Sequence, residues 1–367
     1  MRIAILGTRG VPPRYGGFET AVDEVGRRLV ASGHEVVVYC RNPGQSLRVH
    51  DGMRLVNLPA VRRRSLETAS HTGLSAVHAA FRLRPDVALL FNAANAPFVP
   101  LLRASRIPTA VHLDGLEWKR AKWKGVGARY FKAAERWSVR WADAVVADAR
   151  AIADHVRETY GRESVFIPYG APLVDAGSDR LAERGLEPGG YHLAVARFEP
   201  ENHLAELVEG RLGSTAGAPL VVVGGAPYAE AYERGVRDRA AGDSRVRFLG
   251  AEWDQQLLDQ LYAGAISYLH GQSVGGTNPS LLRAMDAGVS VTAWDVVFNR
   301  EVTDGQAQFV SDAAGVAAAL AADEADPVAS KERGEVLREH ARSTYRWDDV
   351  AAAYEQLCVR LASGTAG

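Results

Sequence analysis

Several features that define other protein classes are scarce or missing in this sequence of 367 residues. It has two cysteines, Cys40 and Cys358, which lie far apart and outside any CxxC or CxxH context, so neither a disulfide framework nor a metal site is expected. Its longest apolar runs, such as 219–223 and 265–269, are far shorter than the roughly 20 residues of a membrane span. The N-terminus enters a strand pattern directly, without the zones of a signal peptide. We therefore expect a cytoplasmic, globular protein.

The net charge of −1 conceals an uneven distribution along the chain. Residues 1–170 carry 26 Lys and Arg against 15 Asp and Glu, whereas the remainder carries 17 against 29. The basic half is either a solvated face or a surface that meets an anionic partner, such as an acidic membrane leaflet or a lipid diphosphate. Nucleic acid is not expected as a partner, because no helix-turn-helix, zinc-finger or RNA-binding signature accompanies the charge. Peripheral association with the inner face of a membrane stays open.

Short β-branched runs alternate with amphipathic stretches over the first 170 residues. Strands are predicted at 2–6, 35–39, 86–91, 109–113, 144–147 and 165–168, with helices at 18–31, 66–81, 126–141 and 149–160. A second series has strands near 192–196, 220–223, 245–249, 265–269 and 289–293. Alternation of this kind predicts an α/β fold with parallel doubly wound sheets. We place a hinge at 168–172 between domains 1–170 and 171–346, and expect the last helix, within 347–367, to return to the first domain.

A glycine-rich loop at 7–17 joins the first strand to the first helix, where an open parallel sheet places its ligand crevice. Arg9 and Arg14 in this loop suit phosphate or acceptor anions, although a flexible loop with solvated arginines is the alternative. Gly16 and Gly17, just before the helix, offer N–H groups to an anion. The loop is not GxGxxG, so a nicotinamide-dependent oxidoreductase remains only a low alternative.

A second glycine-rich loop, at 271–280, follows an apolar strand and leads into a helix at 280–287. Pro279 suits the first turn of that helix, where its missing N–H is not needed. The unpaired N–H groups near this helix start would suit a diphosphate. The candidate diphosphate-binding residues here are Gly275, Gly276, Thr277, Asn278, Pro279 and Ser280.

Five sequence blocks along nearly the whole chain resemble glycosyltransferase family 4, and within it the rhamnosyltransferase-like branch. They are GTRGVPPRYGGFET at 7–20, HLDGLEWKRAKW at 112–123, ARFEPEN at 196–202, HGQSVGGTNPSLLRAM at 270–285 and FNRE at 298–301. The resemblance implies a GT-B fold, in which two Rossmann-like domains face a central cleft. It also implies a donor held mainly by the second domain, an acceptor held mainly by the first, and retention of anomeric configuration without a metal.

The resemblance also assigns roles to individual residues. Arg197 would neutralise the leaving diphosphate, with a structural ion pair to Glu199 or Glu201 as the alternative, and Asn202 stands where the wider family has a lysine. His112 and Asp114 would face the sugar, with Asp114 orienting the acceptor hydroxyl or taking its proton; a turn cap is the alternative for Asp114. Three residues would lie near the base and ribose: Gly224, Phe248 and Leu249.

The indoles and cations of 118–124 form a separate feature, because they alternate along the segment. Such a composition suits the headgroup region of a membrane. An ordinary helix start is an equal alternative.

One departure from the family pattern concerns ribose recognition. The wider family has two glutamates eight residues apart at this loop, and here those positions hold Gly275 and Arg283. A guanidinium only donates hydrogen bonds, whereas a carboxylate accepts them, so the change reverses the hydrogen-bond pattern. Three explanations are open: Arg283 pairs with Asp286, which takes over the ribose; it recognises an altered donor; or the protein has lost turnover.

The sequence thus predicts a retaining transferase that moves rhamnose or another hexose from a dTDP or UDP sugar. A saccharide, a lipid-linked saccharide or a natural product would be the acceptor. A nucleotide-sugar-binding partner without turnover is the second hypothesis.

Overall fold

The computed structural model describes residues 1–13, 16–41, 46–61, 67–113, 115–120, 123, 125–225 and 230–364. The chain divides into two compact units. Unit 1 comprises Met1–Gly170 and Trp347–Gly367, and unit 2 comprises Ala171–Arg346. The description below takes each unit by itself.

Unit 1 is built on one sheet, whose described strands have the order β3-β4-β2-β1-β5-β6-β7-β8. These strands are β1 Arg2–Leu6, β2 Glu35–Cys40, β3 Val49–His50, β4 Met53–Asn57, β5 Val87–Phe91, β6 Thr109–Leu113, β7 Ala144–Ala147 and β8 Val165–Phe166. Every neighbouring pair is parallel except β3 with β4, which are antiparallel. All five residues of β5 are buried, as expected for a central parallel strand with helices on both faces.

The helices of unit 1 connect these strands in sequence. They are α1 Gly17–Ala31, α2 Glu67–His78, α3 Val99–Ala104, α4 Val126–Trp141, α5 Arg150–Tyr160 and, from the end of the chain, α13 Trp347–Ala362. Helix α2 continues into a π-helical turn at Ala79–Leu83, and 3-10 turns lie at Ala93–Phe98 and Glu117–Lys119. Helix α13 packs on α1, where Arg28 pairs with Asp348 at 2.7 Å and His34 with Glu355 at 2.8 Å.

Unit 2 has an all-parallel sheet with the strand order β11-β10-β9-β12-β13-β14 in its described residues. The strands are β9 His192–Val195, β10 Leu220–Val223, β11 Val246–Gly250, β12 Ser267–His270, β13 Ser290–Trp294 and β14 Gln308–Val310. The helices are α6 Leu204–Gly213, α7 Glu230–Arg239, α8 Gln255–Ala263, α9 Pro279–Ala287, α10 Val297–Val302, α11 Ala313–Ala325 and α12 Pro327–Thr344. Two 3-10 turns lie at Leu181–Arg184 and Pro200–Asn202.

The predicted α/β class with parallel sheets is confirmed, while three short strands went unpredicted. Strands β3 and β4 form a hairpin across Asp51 and Gly52, both at positive φ, as a two-residue turn requires. Strand β14 has only three residues. Strands β3 and β14 carry too few residues for a periodic pattern to show, and Arg54 and Asn57 interrupt the apolar run of β4.

In the part of the chain that the structure describes, no helix combines the length and apolarity that crossing a membrane requires.

Candidate functional site

The second glycine-rich loop lies between β12 and α9 of unit 2 and ends in a helix cap. Asn278 is the N-cap of α9, and its side-chain oxygen accepts hydrogen bonds from the Ser280 N–H at 2.8 Å and the Ser280 hydroxyl at 2.7 Å. Pro279 is the first residue of the helix, as the sequence predicts. The positive end of the helix dipole is therefore fixed at Asn278 and Ser280.

Hydrogen bonds attach this loop to the turn that follows β9. The Ser273 N–H donates to the Glu201 carbonyl at 2.9 Å, and the His203 ring nitrogen Nδ1 lies 2.8 Å from the Gly271 carbonyl oxygen. From α10, the Asn299 amide donates to the Gln272 carbonyl at 2.9 Å. The turn at 200–203 and the loop at 271–278 thus form one structure, which we call the donor cradle.

Close backbone approach requires glycine at two positions, one in the donor cradle and one just after β10. A Cβ on Gly271 would lie 2.1 Å from the Asn202 carbonyl oxygen. At Gly224, where φ is +147°, a Cβ would lie 1.8 Å from the Ala196 carbonyl oxygen. Real side chains do not tolerate such distances, so both glycines let the segments that leave β9, β10 and β12 meet.

Arg197 directly precedes the donor cradle and keeps its charged end accessible. Its side chain is 44% exposed, and its ion contact is with Glu199 at 3.5 Å. The alternative ion pair with Glu201 is not formed, because the Glu201 side chain is buried away from it. Asn202 is also buried, and its amide donates to the Arg197 carbonyl at 2.7 Å. Asn202 therefore fixes the turn that presents Arg197.

Of the three explanations for Arg283, the one that pairs it with Asp286 does not hold. Arg283 donates to Asp259 at 2.6 Å and to Gln255 at 2.7 Å, both on α8. Asp286 is fully buried, and it accepts hydrogen bonds from the Val174 N–H at 2.6 Å and from Arg342 at 2.9 Å. The two side chains leave α9 toward different neighbours, so spacing by three residues did not bring them together.

Asp259 offsets the unfavourable position of a cation near the start of α9. Burial raises the pKa of the Asp259 carboxyl, and the Arg283 charge opposes that rise. The Arg283 guanidinium is largely covered and held in place by these contacts. It is therefore a fixed donor group on this side of the helix.

Phe248 and Leu249, predicted near the base, are half-buried in β11. The Phe248 ring packs 6.2 Å from Phe198, and the Arg237 guanidinium lies over it at 4.6 Å. The same ring also packs on the hydrophobic core of unit 2.

In unit 1, His112 lies at the end of β6 within a cluster of aromatic rings. Its ring is close to Phe18, Phe91 and Tyr169, with centroids 5.5, 5.1 and 5.9 Å away. Burial lowers its pKa to about 3, so the imidazole is neutral. Nδ1 lies 2.9 Å from the Tyr354 hydroxyl oxygen, and Nε2 has no hydrogen-bond partner among the described residues. Asp114 lies outside the described residues.

Tyr354 should set the tautomer of His112. If its hydroxyl donates to Nδ1, the ring proton resides on Nε2, and we expect one tautomer in ¹⁵N NMR spectra. Tyr354→Phe should give a tautomer mixture and lower the free energy of unfolding by about 1 kcal/mol. Tyr130→Phe is the control, since Tyr130 donates to the Ala94 carbonyl instead and its loss should leave the His112 signals unchanged.

Buried histidines should make the stability depend on pH. The pKa values of His112 and His270 are lowered to about 3 and that of His71 to about 4, from an ordinary value of 6.5, chiefly by burial. The unfolded chain then binds more protons below pH 6.5, so the free energy of unfolding should fall as pH drops from 6.5 to 5. Each histidine contributes up to about 1.4 kcal/mol per pH unit.

Urea unfolding at several pH values would measure this dependence. His71→Leu should make the decline shallower, because one proton-binding group is removed from the unfolded chain. A free energy of unfolding that stays constant over this interval would contradict the burial argument.

The N-terminus of α1, where Gly16 and Gly17 lie, already holds a carboxylate of the chain. Glu19 accepts a hydrogen bond from the Arg9 N–H at 3.0 Å. Burial raises the pKa of Glu19, against the lowering effect of its backbone hydrogen bonds and of Arg9. Arg14 lies outside the described residues.

Three of the described residues in the segment 118–124 contact protein carboxylates. The Trp118 indole donates to Glu135 at 3.0 Å, and the Trp123 indole donates to Glu117 at 3.1 Å. Arg120 is buried and pairs with Glu117 at 2.7 Å. Lys122 and Lys124 lie outside the described residues. Both indole N–H groups therefore have partners within unit 1.

Comparison with known proteins agrees with the fold. Residues 16–170 match the family model described as a glycosyl transferase 4-like domain. The glycogen synthase of Mycobacterium tuberculosis is 25% identical over 99% of this chain and 96% of its own length. Sucrose-phosphate synthase from Thermosynechococcus elongatus has a TM-score of 0.86 at 20% identity, covering 99% of both chains. Anabaena HepE in complex with UDP-glucose has a TM-score of 0.81 at 15% identity, covering 97% of this chain and 99% of its own.

Two parallel-sheet α/β units with these likenesses define the GT-B fold of glycosyltransferases. The match of residues 16–170 and the 25% identity to the curated glycogen synthase make the chain similar to glycosyltransferases.

Proposed function

We propose that the protein is a retaining, metal-independent hexosyltransferase that takes rhamnose or a related hexose from a dTDP or UDP sugar. The acceptor is a saccharide, a lipid-linked saccharide or a natural product. The observation that carries the proposal is the donor cradle, which joins the turn after β9 to the capped start of α9 by hydrogen bonds. The accessible Arg197 guanidinium lies just before that turn. The UDP-glucose complex of the Anabaena relative supports a nucleotide sugar as donor.

In the proposed reaction, the bond between the anomeric carbon and the diphosphate oxygen breaks, and the diphosphate leaves with added negative charge. Arg197 and the N–H groups at the start of α9 stabilise that charge, since both are positioned before the reaction begins. The acceptor hydroxyl oxygen forms the new bond to the anomeric carbon and releases its proton. Asp114 remains the residue that the family resemblance assigns to that proton.

Neutral His112 supports a different role from that of a general base. A buried imidazole with a pKa near 3 is a poor base at neutral pH, but its Nε2–H can donate a hydrogen bond to a sugar hydroxyl. We assign His112 to sugar binding on this ground.

The contacts of Arg283 exclude one of the three explanations for its presence and leave an altered donor or a loss of turnover. The structure commits Asp286 to Val174 and Arg342, so Asp286 is not the replacement for the family glutamate. An altered donor is the explanation we favour, because Arg283 is held by Asp259 and Gln255 and keeps a fixed orientation. A binding partner without turnover, which Arg283 and Asn202 motivate, is the second candidate function.

A panel of nucleotide sugars with candidate acceptors tests the activity. We expect acceptor-dependent release of free nucleoside diphosphate, and the product anomer, read by NMR coupling constants, should match the donor. Release from no pair in the panel would count against the enzyme. Inversion of the anomeric configuration would refute retention alone.

Calorimetry with dTDP and UDP separates the two candidates. Binding by wild type together with sugar transfer supports the enzyme, whereas binding without any transfer supports the silent partner. Arg283→Glu places a carboxylate beside Asp259, so it should lower thermal stability and change the ratio of dTDP to UDP affinity. An unchanged ratio would show that Arg283 does not set donor choice.

A further inference from the structure

Helix α2 of unit 1 and the π-helical turn after it expose a row of apolar side chains. Leu74, Val77 and Phe81 are 46%, 47% and 63% exposed. Their spacing of three and four residues places them on one face of the helix. Large apolar side chains are commonly exposed singly, but a continuous helical row is characteristic of a binding surface.

A basic groove lies beside this row. One pocket of about 570 Å³ is lined by Arg2, Arg54, His78, Arg82 and Leu83. A neighbouring pocket of about 470 Å³ shares Arg54 and His78 and adds Arg48 and Val49. His78 and Arg82 belong to the helical row that starts at Leu74, because each is four residues further along. The apolar row and the basic groove are therefore adjacent on one surface, which we call the α2 surface.

The positive charge of the groove is only partly neutralised by the protein. Arg2 pairs with Glu35 at 2.7 Å, and Arg54 lies 3.8 Å from the same carboxylate. Within the described ranges, Arg48 and Arg82 form no ion pair. Burial and the charges of Arg54 and Arg82 lower the pKa of His78. An anion entering the groove would therefore meet guanidinium groups that have spare hydrogen-bond donors.

We propose that the α2 surface docks the protein on a membrane leaflet rich in anionic phospholipid. Arg48, Arg54 and Arg82 bind headgroup phosphates, while Val77 and Phe81 enter the boundary between headgroups and acyl chains. The combination of an apolar row with neighbouring unpaired arginines selects a lipid surface over a free anion, since a free anion gains nothing from exposed Phe81. The proposal concerns binding alone and does not depend on the sugar donor.

Sedimentation with vesicles tests the proposal with the full chain. Vesicles of phosphatidylglycerol and phosphatidylcholine in equal amounts should carry the wild-type protein down, and added salt should release it. Vesicles of phosphatidylcholine alone should bind at least tenfold more weakly. Equal binding to both vesicle types, or none to either, would overturn the proposal.

Matched variants locate the surface. Arg82→Glu should weaken vesicle binding by about tenfold, whereas Arg140→Glu, the same exposed charge change in α4, should have little effect. Val77→Ser should weaken binding by about fivefold, whereas Val359→Ser should not, although both valines are 47% exposed. Unchanged circular dichroism would show that the variants are folded. Equal losses in variant and control would refute the α2 surface as the docking site.

Inorganic phosphate serves as the second probe. If phosphate binds the groove tightly by calorimetry while vesicles do not bind, the groove is a site for a free anion and the membrane proposal fails. Weak phosphate binding with strong vesicle binding supports it.

Discussion

Replacing Arg197 with alanine should lower kcat by about two to three orders of magnitude, the usual effect of removing one group that stabilises charge in a transition state. The melting temperature should stay nearly unchanged, because the side chain is 44% exposed and its ion contact with Glu199 is long at 3.5 Å. Single-turnover release of nucleoside diphosphate, with the donor found in the nucleotide-sugar panel, measures the chemical step.

Two further variants control for charge and geometry. Arg234→Ala removes an exposed arginine of α7 in the same unit and should leave kcat unchanged. Arg197→Lys retains the charge but loses the forked donor geometry, so it should fall between alanine and wild type. If Arg197→Ala retained full kcat, the leaving diphosphate would have to be stabilised elsewhere and the role of the donor cradle would be refuted.

Replacing Gly271 with alanine should lower the free energy of unfolding by about 3 kcal/mol and weaken nucleotide binding as well. The added methyl group would lie 2.1 Å from the Asn202 carbonyl oxygen, so the turn at 200–203 and the loop at 271–278 would have to separate. Because the hydrogen bonds to Glu201 and His203 span this contact, the start of α9 would shift relative to Arg197. Urea unfolding and calorimetric titration measure the two effects.

Gly213 offers a matched control in the same unit. It is the last residue of α6, and a Cβ there would meet nothing within 4 Å. Gly213→Ala should stabilise the protein by about 0.5 kcal/mol and leave nucleotide affinity unchanged. A Gly271→Ala protein as stable as wild type would show that the two segments can separate without cost.

Apolar parallel strands were the part of the fold that the sequence predicted well. Their apolar runs are continuous because both faces of a parallel sheet are covered, and strands β1, β6, β7 and β10 have the predicted bounds. The hairpin of β3 and β4 escaped prediction, although its Asp51-Gly52 turn is a recognisable signal. The flanking strands have only two and five residues, so the turn lacked a periodic context on either side.

In the candidate site, too, some features follow from local sequence and others arise only from contacts in the tertiary fold. The loop and the first-turn Pro279 follow from local sequence, since a helix start has its own signals. His203 and Asn299 hold the loop through hydrogen bonds to the Gly271 and Gln272 carbonyls. These residues are far apart in the chain from the loop, and no local pattern predicts such contacts. Tyr354, which contacts His112, was missed for the same reason.

Arg283 shows how a local rule fails when burial decides the partner. Spacing of three residues on a helix favoured Asp286, but Asp286 lies on the buried side of α9. Asp259 belongs to α8, and only the tertiary fold brings it to Arg283.

The return of α13 to unit 1 affects the order in which the chain can fold. During synthesis, residues 1–170 emerge long before Trp347, yet Tyr354 completes the surroundings of His112, and Asp348 and Glu355 pair with residues near α1. The first unit must therefore wait, with part of its interior open to water, until α13 has left the ribosome. A chain released just before Trp347 would hold a finished second unit and an unfinished first one.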